Sequence, residues 1–242
     1  VHKITFDADG KVTSNTIFAK DKCLKSMDGI GIDKDDNIYM MVAANRVLDG
    51  RPYHLERAET LVKVRPGRAR IVSGRKNIPV PLSARPDRPA EMTRAPDGPM
   101  WVRGHQWLYG GVGFGGFNSS KGGGGCACWH ARFGLDYFRR SFVPEVDHFS
   151  VAVLDTNGNV IMRIGRYGNA DDGRPLAAAD GAARGRSVGG DEVAIMHAAY
   201  VATHTDRRVF IADAGNQRIL SVKLDYHAGE RLPLRHLAGN AP

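Results

Sequence analysis

Residues 207–224 constrain the fold of this chain more than any other stretch. Residues 209–211 form an apolar run, residues 213–217 (Asp-Ala-Gly-Asn-Gln) have the composition of a tight turn, and residues 219–224 supply a second run rich in branched side chains. Runs of this kind on either side of a turn predict two antiparallel strands.

Three other stretches align with this strand-turn-strand unit. Residues 37–47 keep the strand and a turn Asn followed by Arg-Val, residues 141–153 keep the strand, and residues 99–102 keep only the strand. An aromatic residue stands at the corresponding place in each unit: Tyr39, Trp101, Phe142 and Phe210. A single unit cannot bury both faces of its sheet, so the repetition predicts sheets that pack against one another.

The repeated pattern resembles a blade of an NHL-type β-propeller: an aliphatic strand, Ala-Asp, a small turn with Asn, then Arg-Ile. Glu145 aligns with Asp213 and Val151 with Ile219, so the likeness is clearest in the third and fourth units. The resemblance implies an all-β fold, a β-propeller of about four recognisable blades plus an N-terminal hairpin. It favours a partial or fragmentary ring, and the chain is distantly similar to the six-bladed lactonase and amidoglycolate-lyase propellers.

The resemblance places the whole chain, residues 1–242, in one β-propeller domain. Its parts are an outer hairpin over residues 1–20 and blade units over residues 26–75, 90–120, 126–166 and 192–235. The N-terminal hairpin either belongs to a blade whose inner strands are missing or closes the ring by joining the last blade. Because Val1 stands where a Met would, we expect the chain to be a processed form or a piece of a longer protein.

Short turn signals predict the individual hairpins. Asp-Gly at residues 9–10 and Asn-Gly at residues 157–158 each stand between apolar runs. Residues 61–72 predict a further hairpin that turns at Pro66-Gly67, and a Pro-Asp-Gly turn predicts strands within residues 91–102.

Composition narrows the class of protein. The chain has 42% hydrophobic and 25% charged residues. It contains no run of 18 apolar residues, so no membrane span is predicted. The formal net charge is +8, but the basic residues are scattered and do not alternate with paired aromatics as base stacking would require. Nucleic acid therefore ranks last among the partner classes.

The densest chemical signal is Cys126-Ala-Cys-Trp-His130. If this stretch is extended, Cys126, Cys128 and His130 lie on one face of a strand and could hold a soft or borderline metal such as zinc. The same geometry allows the thiols to pack between sheets and His130 to cap a polar edge. The spacing differs from Cys-x-x-Cys-His, so no c-type haem is expected. Because Cys23 could pair with either thiol, the redox state stays open.

A second metal hypothesis follows from the resemblance. His197 stands at the mouth of a predicted inner strand, and Asp28, Glu91 and His130 stand at roughly matching places in the other units. Related propellers with calcium or zinc on the axis imply one divalent ion there, which would polarise a carbonyl or acidify a water. Arg132 is then a candidate substrate clamp. The alternative is that these side chains have structural hydrogen bonds.

Two further patterns have simpler interpretations. Residues 33–37 have acid spacing that suits calcium, but Ile38 stands where a calcium loop needs Gly, so a turn is predicted. Residues 111–116 match the dinucleotide-binding pattern, but no helical period follows, so no nucleotide is expected and residues 110–125 are predicted to be a loop. Residues 168–190 are a predicted insertion that could form the lip of a binding site.

The functional expectation is a binding or scaffold module for protein or peptide partners within a larger assembly, exported to a periplasmic or extracellular location. The alternative is a metal-dependent hydrolase or lyase with the ion on the propeller axis, so the sequence leaves open whether the chain is an enzyme. The ligand, the blade count of the full ring and the oligomeric state stay open as well.

Overall fold

The computed structural model describes residues 2–17, 27–53, 58–65, 70–74, 78–94, 98–114, 131–169 and 193–224. Over these residues the regular structure consists of strands and two single-turn 3-10 segments, Leu82–Ala84 and Val146–His148. The predicted all-β fold is therefore confirmed. Within the same residues, the search for a helix with the length and hydropathy of a membrane span found none.

The strands of the described part of the chain are numbered in sequence order. They are β1 (His2–Phe6), β2 (Val12–Ile17), β3 (Met27–Ile32), β4 (Ile38–Val42), β5 (Asn45–Leu48), β6 (Arg51–Pro52), β7 (Ala58–Val64), β8 (Arg70–Ser73), β9 (Met92–Arg94), β10 (Gly98–Arg103), β11 (His105–Phe114), β12 (Gly134–Leu135), β13 (Ser141–Glu145), β14 (Ser150–Leu154), β15 (Val160–Ile164), β16 (Arg166–Tyr167), β17 (Ala194–Ile195), β18 (Ala198–Thr203), β19 (Arg208–Asp213) and β20 (Arg218–Lys223).

Among the described residues there are four sheets of three to five strands, and none of these sheets is closed. Sheet I has the order β6-β5-β9-β10-β8, sheet II β11-β7-β4-β3, sheet III β12-β13-β14-β15 and sheet IV β18-β19-β20. The hairpin β1–β2 forms a sheet of its own, and a short parallel pair, β16 with β17, connects the end of sheet III to the start of sheet IV.

A recurring Asp turn forms several of the hairpins. The Asp carboxylate accepts hydrogen bonds from the N–H groups two and four residues later, and the residue three positions on has a positive φ. Asp and Asn favour this geometry because their short side chains can mimic a backbone turn. The turns of this kind begin at Asp7, Asp33 and Asp155.

The sheets stack face to face in the order I, II, III, IV. Strand β4 is buried along its whole length and alternates between its two neighbours. Ile38, Met40 and Val42 pack in the cluster shared with sheet I, whereas Tyr39 and Met41 pack in the cluster shared with sheet III. The period of two in a strand thus divides one strand between two hydrophobic cores.

Sheet III is buried on both faces in the same way. Val143, Ala152 and Leu154 pack toward sheet II, while the alternate residues Phe142 and Val151 pack toward sheet IV. Strands β13 and β14 are buried at every position. A strand buried on both faces favours a run of apolar residues, which residues 142–144 and 151–154 supply, whereas the buried strand ends are the polar Ser141, Glu145 and Ser150.

The first strands of neighbouring sheets lie very close together. A Cβ atom added at Gly31 of β3 would lie 3.1 Å from the Phe133 ring, and one added at Gly134 of β12 would lie 3.0 Å from the Val201 carbonyl oxygen. Arg132 also exchanges backbone hydrogen bonds with residues on β18. Small residues are therefore required where these strands converge.

Most local strand pairs match their sequence predictions. The hairpins β1–β2, β3–β4, β9–β10, β14–β15 and β19–β20 are antiparallel pairs, as their turn residues indicated. The alignment of Glu145 with Asp213 is also confirmed, since each ends its strand opposite the first residue of the next one, Ser150 or Arg218.

The structure corrects two local predictions. Residues 61–72 do not form a hairpin, because β7 belongs to sheet II and β8 to sheet I. The units 26–75 and 90–120 therefore interleave, with β11 pairing along β7 rather than joining β10. Residues 110–114 are strand rather than loop; the glycines of β11 allow register shifts along it.

Trp101 is the one aromatic of the four that breaks the repeat. Tyr39 and Phe142 face the next sheet along the stack, whereas Trp101 packs with Val72 and Val80 on the face of sheet I that is turned away from sheet II. Strand β10 belongs to the segment between β7 and β11, which pair with each other in sheet II. It is therefore not part of a repeated unit.

Two glycines at the same turn position test how packing adds to backbone strain. Both have positive φ, but a Cβ at Gly158 would lie 2.8 Å from the Trp107 ring, whereas a Cβ at Gly10 would meet nothing within 4 Å. We expect Gly158→Ala to lower the free energy of unfolding by about 2–4 kcal/mol and Gly10→Ala by about 1 kcal/mol. Urea unfolding followed by circular dichroism measures both, and equal losses would contradict the packing explanation.

Candidate functional site

The predicted metal ligands fall into two groups. Cys126, Cys128 and His130 lie outside the described residues, and so does the side chain of Asp28, whose backbone is part of β3. Glu91 and His197 are described. Among the described residues, no group of three or more His, Cys, Asp or Glu side chains is placed to hold a metal ion.

Glu91 lies next to β9 in sheet I and has structural partners. Its carboxylate accepts a hydrogen bond from the Val102 N–H at 3.0 Å and forms an ion pair with Arg88. His197 immediately precedes β18 of sheet IV. Since sheets I and IV are the two ends of the stack, the structure does not bring these two predicted ligands together.

His197 is buried beside the carboxylate of Asp213, which ends β19. Asp213 accepts hydrogen bonds from the backbone N–H groups of Met196 and His197 at 3.1 and 2.9 Å and from the Asn216 amide at 2.6 Å, and Arg218 lies at 3.3 Å. Burial lowers the pKa of His197, against the opposing effect of Asp213. The imidazole is therefore neutral at pH 7, and Asp213 fixes the segment that leads into β18.

Glu145 occupies the same position in sheet III. It is 3% exposed and accepts hydrogen bonds from the Tyr109 hydroxyl at 2.6 Å, from Ser150 at 3.1 Å and from Arg163 at 2.7 and 3.1 Å. Burial raises the pKa of Glu145, but the bonds from Arg163 and Tyr109 outweigh it and hold the pKa below its usual range. The carboxylate is thus ionised and saturated with donors, which is the arrangement of a structural group.

Arg132, the predicted substrate clamp, is half-buried between sheets. Its backbone N–H donates to the Ala199 carbonyl, and its guanidinium donates to the Ala131 carbonyl at 3.2 Å. These contacts tie the segment before β12 to sheet IV. They give Arg132 a structural position and leave its predicted role as a clamp a hypothesis.

A different polar cluster connects sheets II and III at the end where the Asp turns lie. The buried Lys63 ammonium donates to the Thr156 carbonyl at 3.0 Å and lies 3.7 Å from the Asp33 carboxylate. The Tyr39 hydroxyl donates to the same carboxylate at 3.1 Å, and the Trp107 indole N–H donates to Thr156 at 3.0 Å. Burial lowers the pKa of Lys63, although the charge of Asp33 opposes this shift.

A pocket of about 500 Å³ opens beside this cluster. Its lining comes from the start of β11, the end of β7 and the β14–β15 turn, and consists of Arg65, Gly104, His105, Gln106, Trp107 and Asn157. The sequence does not predict this pocket. No local motif marks it, because its walls come from segments far apart in the chain.

The outer face of sheet IV is a second candidate surface. Pairing across the sheet places Tyr200, Ala212 and Ile219 in one row and Ala202, Phe210 and Ser221 in the next. Tyr200 is 51% exposed, Phe210 37% and Ile219 74%. A face with this many exposed apolar groups is unusual for a sheet whose other face is buried.

No protein-family model matches the chain, and no curated protein matches it.

The Glu145 network should make the fold sensitive to acid. Because the folded-state pKa of Glu145 is depressed, its ionised form stabilises the fold above about pH 4.3, and this contribution is lost as the pH falls through the folded-state pKa. We expect Glu145→Gln to lower the free energy of unfolding at pH 7 by about 1–3 kcal/mol. As the pH falls below about 5, the free energy of unfolding measured in urea titrations should decrease less for the variant than for the wild type. Parallel plots of this free energy against pH for the two proteins would contradict the role of Glu145.

Proposed function

We propose that the chain is an NHL-type β-propeller unit that acts as a binding or scaffold module for protein or peptide partners within a larger assembly. Three features support this proposal: the face-to-face stacking of successive sheets, the convergence of their first strands on small residues, and the recurring Asp turns. We further propose that the module is exported.

Equivalent positions in successive sheets differ in how far they are buried. In sheets II, III and IV an aromatic on the second strand is paired with a small residue on the first: Tyr39 with Gly31, Phe142 with Gly134 and Phe210 with Ala202. Tyr39 and Phe142 are 0% and 1% exposed because the next sheet covers them, whereas Phe210 is 37% exposed.

The third strands of this comparison, β7, β14 and β20, show the same difference in burial. Leu61, Val151 and Ile219 each lie one residue after the position opposite the end of the preceding strand. Leu61 and Val151 are fully buried, and Ile219 is 74% exposed. The face of sheet IV thus has the apolar side chains of a stacking interface, without a sheet that covers them among the described residues.

The covered interfaces indicate what a partner would present. The residues of sheet III in the cluster with Tyr39 and Leu61 are mostly aliphatic, among them Val143 and Ala152, and Phe133 directly before β12 packs there as well. Burying one large apolar side chain contributes about 1.5–3 kcal/mol. A partner sheet with an aliphatic face would therefore gain affinity from Tyr200, Phe210 and Ile219 together.

The hydrolase or lyase alternative has less support from the geometry. It needs the predicted ligands around one axis, and Glu91 already has structural hydrogen bonds in a sheet at the opposite end of the stack from His197. The uncovered face, in contrast, consists of described residues at positions whose function elsewhere in the molecule is to contact another sheet.

A matched pair of aromatic truncations tests the equivalence. We expect Phe142→Ala to cost about 3–5 kcal/mol of unfolding free energy, because it leaves a cavity between two sheets. Phe210→Ala should cost less, about 1–2 kcal/mol, since that ring is 37% exposed and no sheet among the described residues covers it. Urea unfolding measures both values, and a similar loss from both variants would contradict an uncovered face.

Site-specific photo-crosslinking tests the binding function. A benzoyl-phenylalanine replacing Ile219 should crosslink in the native cell to apolar residues of a β-strand in one partner, and Phe210→Asp should abolish the product. The control position is Ile161, which is 55% exposed on β15 of sheet III. Equal crosslinking at both positions, or a product that survives Phe210→Asp, would overturn the proposal.

A further inference from the structure

The pocket between sheets II and III offers a binding site that is independent of the uncovered face of sheet IV. We propose that this pocket binds the oxyanion of a small ligand or of a peptide end, with the Arg65 guanidinium as the principal donor. The ligand class is an organic carboxylate or a phosphate, since both present oxygens that match the arginine fork.

The Trp107 side chain forms one wall of the pocket and is held in place by its neighbours. The Trp107 indole donates to the Thr156 carbonyl at 3.0 Å and packs edge-on against Tyr39, with ring centroids 5.8 Å apart. The backbone of Gly158 lies so close to the indole that an added Cβ would be only 2.8 Å from it. An aromatic wall held from three sides is pre-organised, so little entropy is lost when a ligand packs against it.

The Arg65 guanidinium makes no ion pair with any residue that the structure describes, although its backbone N–H is bonded to Gly104. The carboxylates of the adjoining turns are already engaged. Asp33 accepts hydrogen bonds from Asn37 and Tyr39, and Asp155 accepts them from the turn that it begins. The positive charge of Arg65 is therefore not neutralised by these two acids.

The other polar groups of the pocket complement an acceptor ligand. The His105 Nδ1–H donates to the Val102 carbonyl at 2.6 Å, which fixes the ring beside the pocket. The Gln106 amide nitrogen donates to the Asn37 side-chain oxygen at 2.6 Å, which uses one of its two N–H donors. Asn157 lines the pocket from the facing turn and supplies an amide donor. A guanidinium, an amide and an indole that line one pocket fit a carboxylate that carries an apolar group.

The volume is consistent with a small ligand. Ligand sites are commonly about 300–1,000 Å³, and this pocket is about 500 Å³. A fragment with one carboxylate and one ring should bind with a dissociation constant in about the millimolar range.

The inference is tested by titrating the full chain with three probes while following the tryptophan indole N–H signals by nuclear magnetic resonance. The probes are N-acetylphenylalanine, its uncharged amide and inorganic phosphate, and the Trp107 signal is assigned with Trp107→Phe. We expect saturable shifts of that signal with at least one of the two anions and none with the amide. The anion that binds more tightly identifies the source of the oxyanion as a carboxylate or a phosphate.

Substitution of Arg65 provides the matched control. Arg65→Gln should weaken anion binding by about tenfold or more, because it removes a charge-assisted hydrogen bond. Arg70→Gln, at an exposed arginine on β8 of sheet I, should leave it unchanged. Both side chains are exposed, so neither variant should unfold. Binding of the amide as tight as that of the acid, full affinity in Arg65→Gln, or no saturable shift with either anion would overturn the inference.

Discussion

Two-sided burial of sheets II and III is the constraint on which the rest of the structure depends. The apolar residues of β4, β13 and β14 that form the cores pack alternately toward one of two neighbouring sheets, so the alternation within one strand holds three sheets in order. A one-residue slip of register would exchange the two faces of such a strand and expose neither to water, but it would mismatch both interfaces. Stacking and register are therefore fixed together.

The buried carboxylates of Glu145 and Asp213 serve this stack from the ends of its strands. Each lies opposite the first residue of the next strand and collects donors from neighbouring segments, including Tyr109 in one case and the His197 backbone in the other. Because a buried charge is costly unless it is hydrogen-bonded, these groups specify how adjacent segments meet. Glu145 and Asp213, which the sequence aligns with each other, thus connect adjacent segments of the stack.

The two proposed binding surfaces arise from the stack in different ways. The outer face of sheet IV repeats positions that are covered in sheets II and III, so its partner should itself be a sheet. The pocket beside Trp107 exists because Lys63 and Trp107 both donate to Thr156, which holds the β14–β15 turn against sheet II. One surface is apolar and broad, and the other is polar and small, so the two can serve different ligands.

The sequence by itself determined the all-β class, the local hairpins and the equivalence of Tyr39, Phe142 and Phe210, because turn residues and strand alternation act over a few neighbouring positions. Only the tertiary structure decided that β8 joins sheet I while β11 returns to sheet II, that Trp101 faces away from the stack, and that Arg65 and Asn157 line one pocket. These outcomes depend on which apolar faces cover one another across long separations in the chain. The free energy gained from this packing depends on all the sheets together, so no short stretch of sequence indicates it.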